Sequence, residues 1–190
     1  MVYEAKLADL QTVKNMVHRT IKECYPECFS ENVVDFFLNL HSEEAIKDDL
    51  INANVYLMES DGYLVGTGTI KDNVIKRLFI LPQYQHHKFG TELLQCLEDE
   101  LAVNDIFTAA VDAHEQVRGW YQAMGYAVLS EQIVDINGET LPYYHMEKQV
   151  TAMNMDNLNQ GLMFNKFGTE FLSKSWLIKI HFVRTWQIQE

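Results

Sequence analysis

The stretch Gln85-His86-His87-Lys88-Phe89-Gly90 decides the fold prediction, because it joins a strand-like segment to an amphipathic helix. The preceding residues 74–81, VIKRLFIL, are mostly apolar, and leucines recur after Gly90 at helical spacing. The start of a helix leaves about four backbone N–H groups without intrahelical partners, and the helix dipole adds partial positive charge. Such a turn binds phosphate without many basic side chains, so the sequence predicts a site for a pyrophosphate-bearing cofactor.

The same residues resemble the acetyl-CoA-binding segment of the GNAT superfamily of N-acetyltransferases, which reads V-x-P-x-x-Q/R-x-x-G-x-G/A. Ile80, Pro82, Gln85 and Gly90 occupy the V, P, Q/R and last glycine positions. Lys88 replaces the first glycine, a residue type that reaches left-handed φ values at low cost. Two interpretations stay open: Lys88 has an ordinary φ and points its ammonium at the CoA phosphates, or it weakens the site.

Two later segments extend the resemblance. Residues 113–126, AHEQVRGWYQAMGY, resemble the family pattern N/S-x-x-A-x-x-[FLW]-Y-x-x-x-G-[FY], with Tyr121 at the tyrosine and His114 at the Asn/Ser position. Residues 141–148, LPYYHMEK, resemble the last strand of the family, which often ends in M-x-K. One short motif recurs by chance, but three in the family's order are specific. We therefore expect a GNAT domain over residues 1–149 and a C-terminal extension over residues 150–190.

The order of the predicted elements is also that of the GNAT fold: a strand, two or three helices, three strands, a helix, a strand, a helix and two strands. Asp9, Ser30 and Ser42 are predicted to cap the first three helices. Asp61-Gly62 and Asn137-Gly138 are favoured hairpin turns. The expected fold class is α/β, and the resemblance implies a mostly antiparallel mixed sheet that splays between strands 4 and 5.

Composition excludes several other classes. The 190 residues carry a formal net charge of −12, whereas a nucleic-acid-binding protein would show a basic footprint. The acidity favours either cationic amine partners or simple solubility. No apolar run is long enough to span a bilayer, and no signal-peptide pattern is present. The three cysteines, Cys24, Cys28 and Cys96, lack metal-ligand spacing and indicate reduced thiols, so we expect a cytoplasmic protein. From the charge and the apolar pattern we expect that it binds neither nucleic acid nor membranes.

The resemblance implies acetyl-CoA as co-substrate. Its pantetheine arm would pair with the main chain of strand 4, where the Ile80 N–H would polarise the thioester carbonyl. Its pyrophosphate would bind amides of residues 86–91, with added charge from Lys88 and from His86 or His87. The implied cofactor-binding residues are Leu78, Phe79, Ile80, Gln85, His86, His87, Lys88, Phe89, Gly90, Thr91 and His114. No metal site is expected, because the adjacent His86 and His87 have no further ligands at a useful spacing.

The resemblance further implies direct attack of a neutral amine, from a small molecule or a peptide, on the thioester. Tyr121 is the expected catalytic acid, since its phenol is protonated at neutral pH; the alternative is a packed ring with a satisfied hydroxyl. The base stays open among ordered water and Asp112, His114, His41 and Glu23. A non-catalytic CoA-binding or protein-interaction module is the alternative function, because a fold alone does not fix chemistry.

Two apolar patterns have several interpretations. Tyr25, Phe29, Phe36 and Phe37 occur at helical spacing, which is more often core than the lining of an acceptor pocket. Residues 176–188 alternate between apolar and polar side chains, as in an amphipathic strand that must bury its two tryptophans. This segment docks on its own domain, crosses to a second subunit in a homodimer, or has no functional role.

Overall fold

The computed structural model describes residues 1–151, which form a seven-stranded sheet covered by helices. Its strands are β1 (Val2–Glu4), β2 (Asn54–Ser60), β3 (Tyr63–Lys71), β4 (Val74–Ile80), β5 (Thr108–His114), β6 (Ala127–Ile136) and β7 (Glu139–Gln149). Its helices are α1 (Leu10–Cys24), α2 (Glu31–Leu40), α3 (Glu43–Asn52), α4 (Phe89–Val103) and α5 (Glu115–Ala123). This order confirms the predicted α/β fold. The predicted strand within residues 176–188 lies outside the described residues, and the division at residue 149 stays a prediction.

The sheet order is β1-β2-β3-β4-β5-β7-β6, and every pairing is antiparallel except that of β4 with β5. Among the described strands, β4 and β5 share a single register pair, Val74 with Ala110, next to which Ala110 N donates to Asn73 O at 2.9 Å. Beyond this pair the two strands diverge, which confirms the predicted splay. The carboxyl half of β4 therefore has a strand partner on one side and a gap on the other.

Local sequence signals account for most of the element boundaries. Ser30 and Ser42 cap α2 and α3, since each Oγ accepts from the backbone N–H three residues later, at 3.4 and 3.2 Å. Asp61 and Gly62 both have positive φ, as the predicted hairpin turn requires. Asp9 occupies the N-cap position of α1, as predicted, but its side chain does not cap the helix: its Oδ2 accepts at 2.8 Å from the backbone N–H three residues before it, within a 3-10 turn that precedes the helix.

Two apolar cores lie on opposite faces of the sheet. Helices α4 and α5 cover one face, where the predicted leucine stripe of α4 is fully buried. Helices α1, α2 and α3 cover the other face. Gly68 of β3 lets α4 approach closely, because a Cβ there would lie 2.6 Å from Leu97 Cδ1. This contact sets α4 against the centre of the sheet, with its amino end beside the carboxyl end of β4.

A bulge in β4 carries a buried charge cluster. Arg77 and Leu78 together oppose the single residue Gly68 of β3, and Arg77 has a φ of 56°. The Arg77 side chain turns toward α3, where its Nη2 lies 2.7 Å from Asp49 Oδ2, and Lys76 Nζ lies 2.8 Å from Asp49 Oδ1. Asp49 and Arg77 are both buried. The cluster therefore ties α3 to the part of β4 that precedes the gap.

Candidate active site

The edge of β4 that faces the gap presents main-chain groups of Ile80. Leu81 N donates to Val65 O at 2.9 Å, which makes these two residues a hydrogen-bonded pair of the β3–β4 ladder. Because such pairs alternate with non-hydrogen-bonded pairs, the N–H and C=O of Ile80 point away from β3 and toward the gap. Gln85 Nε2 donates to Ile80 O at 3.0 Å, so the C=O is engaged while the N–H faces the gap.

The other two residues predicted to contact pantetheine have different surroundings. Phe79 pairs with Thr67, so the same alternation directs its main-chain groups into the β3–β4 ladder. Its ring lies on the α1–α2 face of the sheet, with its centroid 6.4 Å from that of Tyr25 and 5.4 Å from that of His41. Leu78 belongs to the bulge and is half-buried against the core beneath α4. The main chain of Phe79 is therefore engaged with β3 and does not face the gap.

The turn after β4 delivers free amides at the start of α4. The first backbone hydrogen bond of the helix runs from Glu92 N to Lys88 O at 3.0 Å, and no side chain caps the helix. The N–H groups of Phe89, Gly90 and Thr91 thus precede the helical hydrogen bonds. This is the arrangement that the predicted phosphate site requires, and it is carried by the backbone.

Lys88 has the conformation of the glycine that it replaces. Its φ is 69°, so the interpretation in which Lys88 has an ordinary φ is wrong; the helix that follows fixes the backbone here. His86 also has a positive φ, of 63°. The side chains of His86, His87 and Lys88 are all exposed, and His87 Nδ1 is 2.7 Å from Gln85 O. The positively charged side chain of Lys88 therefore lies next to the N–H groups at the start of α4, and the backbone of Lys88 itself is strained.

We expect Lys88→Gly to stabilise the protein by about 1 kcal/mol, because the left-handed conformation costs a non-glycine residue roughly 1–2 kcal/mol. Urea denaturation of the full chain measures this difference. His87→Gly is the matched control, since His87 is exposed and its φ is not positive. That variant should lose stability through the added freedom of the unfolded chain. A loss of stability in Lys88→Gly would contradict the strain argument.

Side chains from three elements meet around the start of α4. Gln85 is half-buried, and its Nε2 lies 3.5 Å from Cys24 Sγ at the end of α1 as well as near Ile80 O. A Cβ at Gly90 would lie 3.6 Å from Trp120 Cζ2 and 3.7 Å from Ile80 Cγ1. The first turn of α4 thus sits between α5 and the end of β4.

The hydroxyl of Tyr121 lies near the gap between β4 and β5. The residue is buried, yet its hydroxyl has no hydrogen-bond partner within residues 1–151 and is not among the polar atoms sealed from solvent. Burial raises the pKa of the Tyr121 phenol above its ordinary value, so the hydroxyl keeps its proton. Tyr121 also lies close enough to Tyr25 to raise the pKa of that phenol, after the larger effect of burial. The described residues supply no partner for the alternative of a satisfied hydroxyl.

An aromatic group surrounds His114 at the end of β5. The centroid of the imidazole lies 5.7 Å from that of Tyr25, 5.3 Å from Phe29 and 5.9 Å from Phe37. Phe37 is buried and the other rings are half-buried against it, so the core interpretation of this stripe is confirmed. Phe36 packs on Phe37, 5.5 Å away.

Two of the other candidate bases are engaged with partners. Asp112 lies on the same face of β5 as His114, but its Oδ1 is 2.9 Å from His145 Nδ1. This hydrogen bond raises the pKa of His145, and Glu147, 3.4 Å from His145 Nε2, adds to the effect. Glu23 is exposed and pairs with Arg19 on α1 at 2.8 Å. Each of these carboxylates therefore has one oxygen committed to a partner outside the aromatic group around His114.

His41, at the end of α2, is half-buried. Its Nδ1 is buried without a hydrogen-bond partner among residues 1–151, and the ring packs edge-on against Phe79. Burial lowers the pKa of His41 to about 3, with Arg77 as the next largest cause. An imidazole with so low a pKa stays neutral and is a weak base.

The described part of the chain has neither a metal-binding cluster nor a membrane-spanning helix. Residues 1–151 hold no group of three or more His, Cys, Asp or Glu side chains placed to bind a metal ion. In the same range, no helix combines the length and the apolar character needed to cross a bilayer. Cys24, Cys28 and Cys96 are free thiols.

Comparison with known proteins identifies the family. The model of the acetyltransferase (GNAT) domain family matches residues 24–150. Among solved structures, a GCN5-related N-acetyltransferase from Rhodopseudomonas palustris superposes with a TM-score of 0.72 at 21% identity, over 79% of this chain and 95% of that one. The PaiA N-acetyltransferase of Thermoplasma acidophilum, solved with coenzyme A, gives 0.62 at 21% identity over 78% and 98%. A search of curated proteins gave no significant match.

A third solved structure is similar over the same region. The putative acetyltransferase YncA of Salmonella typhimurium, solved with acetyl-CoA, has a TM-score of 0.55 at 17% identity over 78% of this chain and 92% of that one. At these identities the three likenesses establish the fold alone. The family model, which spans most of the chain, establishes the family.

Proposed function

Since the chain belongs to the GNAT acetyltransferase family, we propose that it is an N-acetyltransferase, which transfers the acetyl group of acetyl-CoA to a primary amine. The observation that carries the proposal is the hydroxyl of the buried residue Tyr121, which keeps its proton and has no hydrogen-bond partner within residues 1–151. It lies near Tyr25, whose ring in turn lies between Phe79 of β4 and His114 of β5. This position supports Tyr121 as the proton donor at the splay of the two strands.

The residues at the splay fit acetyl-CoA. The free N–H groups of Phe89, Gly90 and Thr91 suit a pyrophosphate, and the exposed ammonium of Lys88 adds positive charge beside them. The N–H of Ile80 faces the gap and suits an acyl oxygen. Acetyl-CoA would supply the activated acetyl group. Side-chain and main-chain groups of the protein would bind, orient and exchange protons with the two substrates.

Two protein groups would lower the barrier. Ile80 N–H is a fixed donor on a strand held by β3, and one such donor at an oxygen that gains negative charge contributes roughly 10²–10³ in rate. Tyr121 would give its proton to the departing thiolate and recover one from solvent. Most of the remaining acceleration would come from holding the amine in line within a ternary complex, without a covalent enzyme intermediate.

The acceptor and the assembly are proposed only in general terms. The acceptor is a primary amine on a small molecule or a peptide, and the acidic chain favours a cationic one. A homodimer formed through the C-terminal extension and a cytoplasmic location stay predictions. A non-catalytic CoA-binding module remains the second candidate, since Lys88 and His114 occupy positions where the family pattern has glycine and Asn or Ser.

Two measurements on the full chain test this function. Calorimetry with coenzyme A should show binding, and pantetheine, which lacks the pyrophosphate, should bind much more weakly. A thiol-release assay with acetyl-CoA should then show turnover with at least one amine in a panel of amino acids, polyamines, aminoglycosides and peptides. Binding of coenzyme A without turnover on any amine would favour the module. No binding of coenzyme A would overturn both candidates.

A further inference from the structure

We infer that His114 is the general base that removes the proton from the acceptor ammonium. The inference rests on the proposed function and assigns the one role that the family resemblance left open. His114 ends β5, at the point where β5 has diverged from β4, and its side chain lies on the face that α1 and α2 cover.

The hydrogen bond to Gln116 fixes the tautomer of His114. Nδ1 lies 2.9 Å from Gln116 Oε1, and because an amide oxygen only accepts, Nδ1 must carry the proton. The neutral ring then has its lone pair on Nε2. That atom has no hydrogen-bond partner within residues 1–151 and is not among the sealed polar atoms. His114 thus offers a free acceptor at the cleft, held in place by a residue of α5.

The surroundings of His114 keep the ring neutral. Tyr25, Phe29 and Phe37 enclose it, and this burial lowers its pKa below the ordinary value for histidine, against the opposing effect of Gln116. A group with a lowered pKa is deprotonated at neutral pH and ready to accept a proton.

The ionisable groups on the neighbouring elements leave the His114 ring neutral. Tyr25, from the end of α1, has a phenol whose pKa burial raises, so it is neutral. Tyr143, the register partner on β7, donates its hydroxyl to Gln132 at 2.7 Å. Asp112, on the same strand face, is bonded to His145. On α5, Glu115 and Arg118 pair with each other at 2.8 Å.

The proton balance is simple. The Nε2 lone pair forms a bond to a proton of the ammonium, whose N–H bond breaks and leaves the amine with the electron pair that attacks the acetyl group. The imidazolium then returns the proton to solvent. Tyr121 separately gives its proton to the departing thiolate. Tyr121 lies on α5, and His114 is the residue immediately before that helix.

His114→Asn is the decisive variant, because asparagine is a residue that the family pattern has at this position. If His114 only contacted CoA, the variant would keep full activity. As a base, it should lose about 10²–10⁴ in kcat/KM with an alkyl amine, while calorimetry shows unchanged CoA affinity. The acid limb of the pH profile of kcat/KM with the alkyl amine should move from the pKa of His114 to the higher pKa of the amine itself, about 10. An arylamine or a hydrazide, which is already neutral at pH 7, should be acetylated at close to the normal rate.

His145→Gln is the matched control: it removes a histidine of the neighbouring strand β7 on the same face of the sheet, and it should keep both the rate and the position of the acid limb. Full activity of His114→Asn on alkyl amines would overturn the inference. So would an equal loss with the arylamine, since that would indicate a structural role. If the unaltered chain turned over no amine at all, the proposed function would fail and this inference with it. The two failures are therefore distinguishable.

Discussion

Tyr121→Phe should lower kcat by about 10²–10⁴-fold, the usual contribution of a positioned proton donor, and should leave CoA affinity unchanged. The ring stays in place in this variant, so its packing against Trp120 and Tyr126 is kept. Only the hydroxyl is lost, and that hydroxyl has no structural partner among the described residues. Steady-state thiol release, with calorimetry for CoA, separates the effect on chemistry from the effect on binding.

Tyr126→Phe is the matched control for Tyr121→Phe. Tyr126 lies next to Tyr121, with a ring-centroid distance of 5.4 Å, but its hydroxyl is sealed in the core near Glu98. Removing a hydroxyl that cannot reach substrate should leave kcat unchanged. If both variants lost kcat to the same degree, the loss would reflect core packing, and the catalytic role of Tyr121 would be wrong.

The pH dependence gives a second check on Tyr121. Burial raises its pKa above that of free tyrosine, about 10, so its protonated form persists to higher pH than in an exposed tyrosine. An acid of this kind supports turnover below its pKa and loses it as the pH rises through that value. No decline in kcat that belongs to Tyr121 is therefore expected below about pH 10. A decline near neutrality that Tyr121→Phe abolished would contradict this assignment.

Local chemistry explains what the sequence predicted correctly. Ser30 and Ser42 cap helices through atoms within three residues, and Asp61-Gly62 forms a tight turn by its own backbone preference. Such signals need no tertiary context, so they can be read from sequence. Asp9 shows the limit: it sits where a cap is favoured, but the chain makes a 3-10 turn first and engages its carboxylate there.

The backbone of Lys88 could not be predicted from its residue type. Lysine disfavours positive φ, yet the position lies between the end of β4 and a helix whose place is fixed by its leucines against β3. The path of the chain therefore determines φ, and the residue adapts. The family pattern carried this information in the glycine that Lys88 replaces.

The candidate site was only partly accessible to sequence reasoning. Gln85 and Tyr121 were found because they match family motifs. The pair of Asp112 with His145 joins residues 33 positions apart across two strands, and no local spacing marks it. The neutral state of His114 depends on rings from α1 and α2 that the fold brings to it. Side-chain environments built from distant segments require the register and the packing to be known.

Asp49→Asn should destabilise the protein by about 3–5 kcal/mol, the usual cost of removing one partner from a buried ion pair. Asp49 is the carboxylate for both Arg77 and Lys76, and the Arg77 side chain is only 5% exposed. Two nitrogens of Arg77, Nε and Nη1, are already buried without a hydrogen-bond partner among the described residues. The charge of Arg77 thus depends on Asp49. Urea denaturation of the full chain measures the loss.

Asp48→Asn is the control on the same helix. Asp48 is exposed and lies 3.7 Å from the exposed Lys71, so its removal should cost less than about 1 kcal/mol. If Asp49→Asn cost no more than this control, the buried cluster would not stabilise the fold. A double variant, Asp49→Leu with Arg77→Leu, should recover part of the stability by removing both buried charges.

The same double variant tests what the cluster does for the cleft. Arg77 sits in the bulge that precedes Ile80, and the bulge offsets β4 so that the Ile80 amide faces the gap. Without the ion pair that holds residue 77 at a positive φ, the bulge should relax even where stability returns. We therefore expect the double variant to fold but to bind coenzyme A more weakly than the unaltered chain. Normal affinity would show that the β3–β4 ladder alone orients the Ile80 amide, without the charges beneath it.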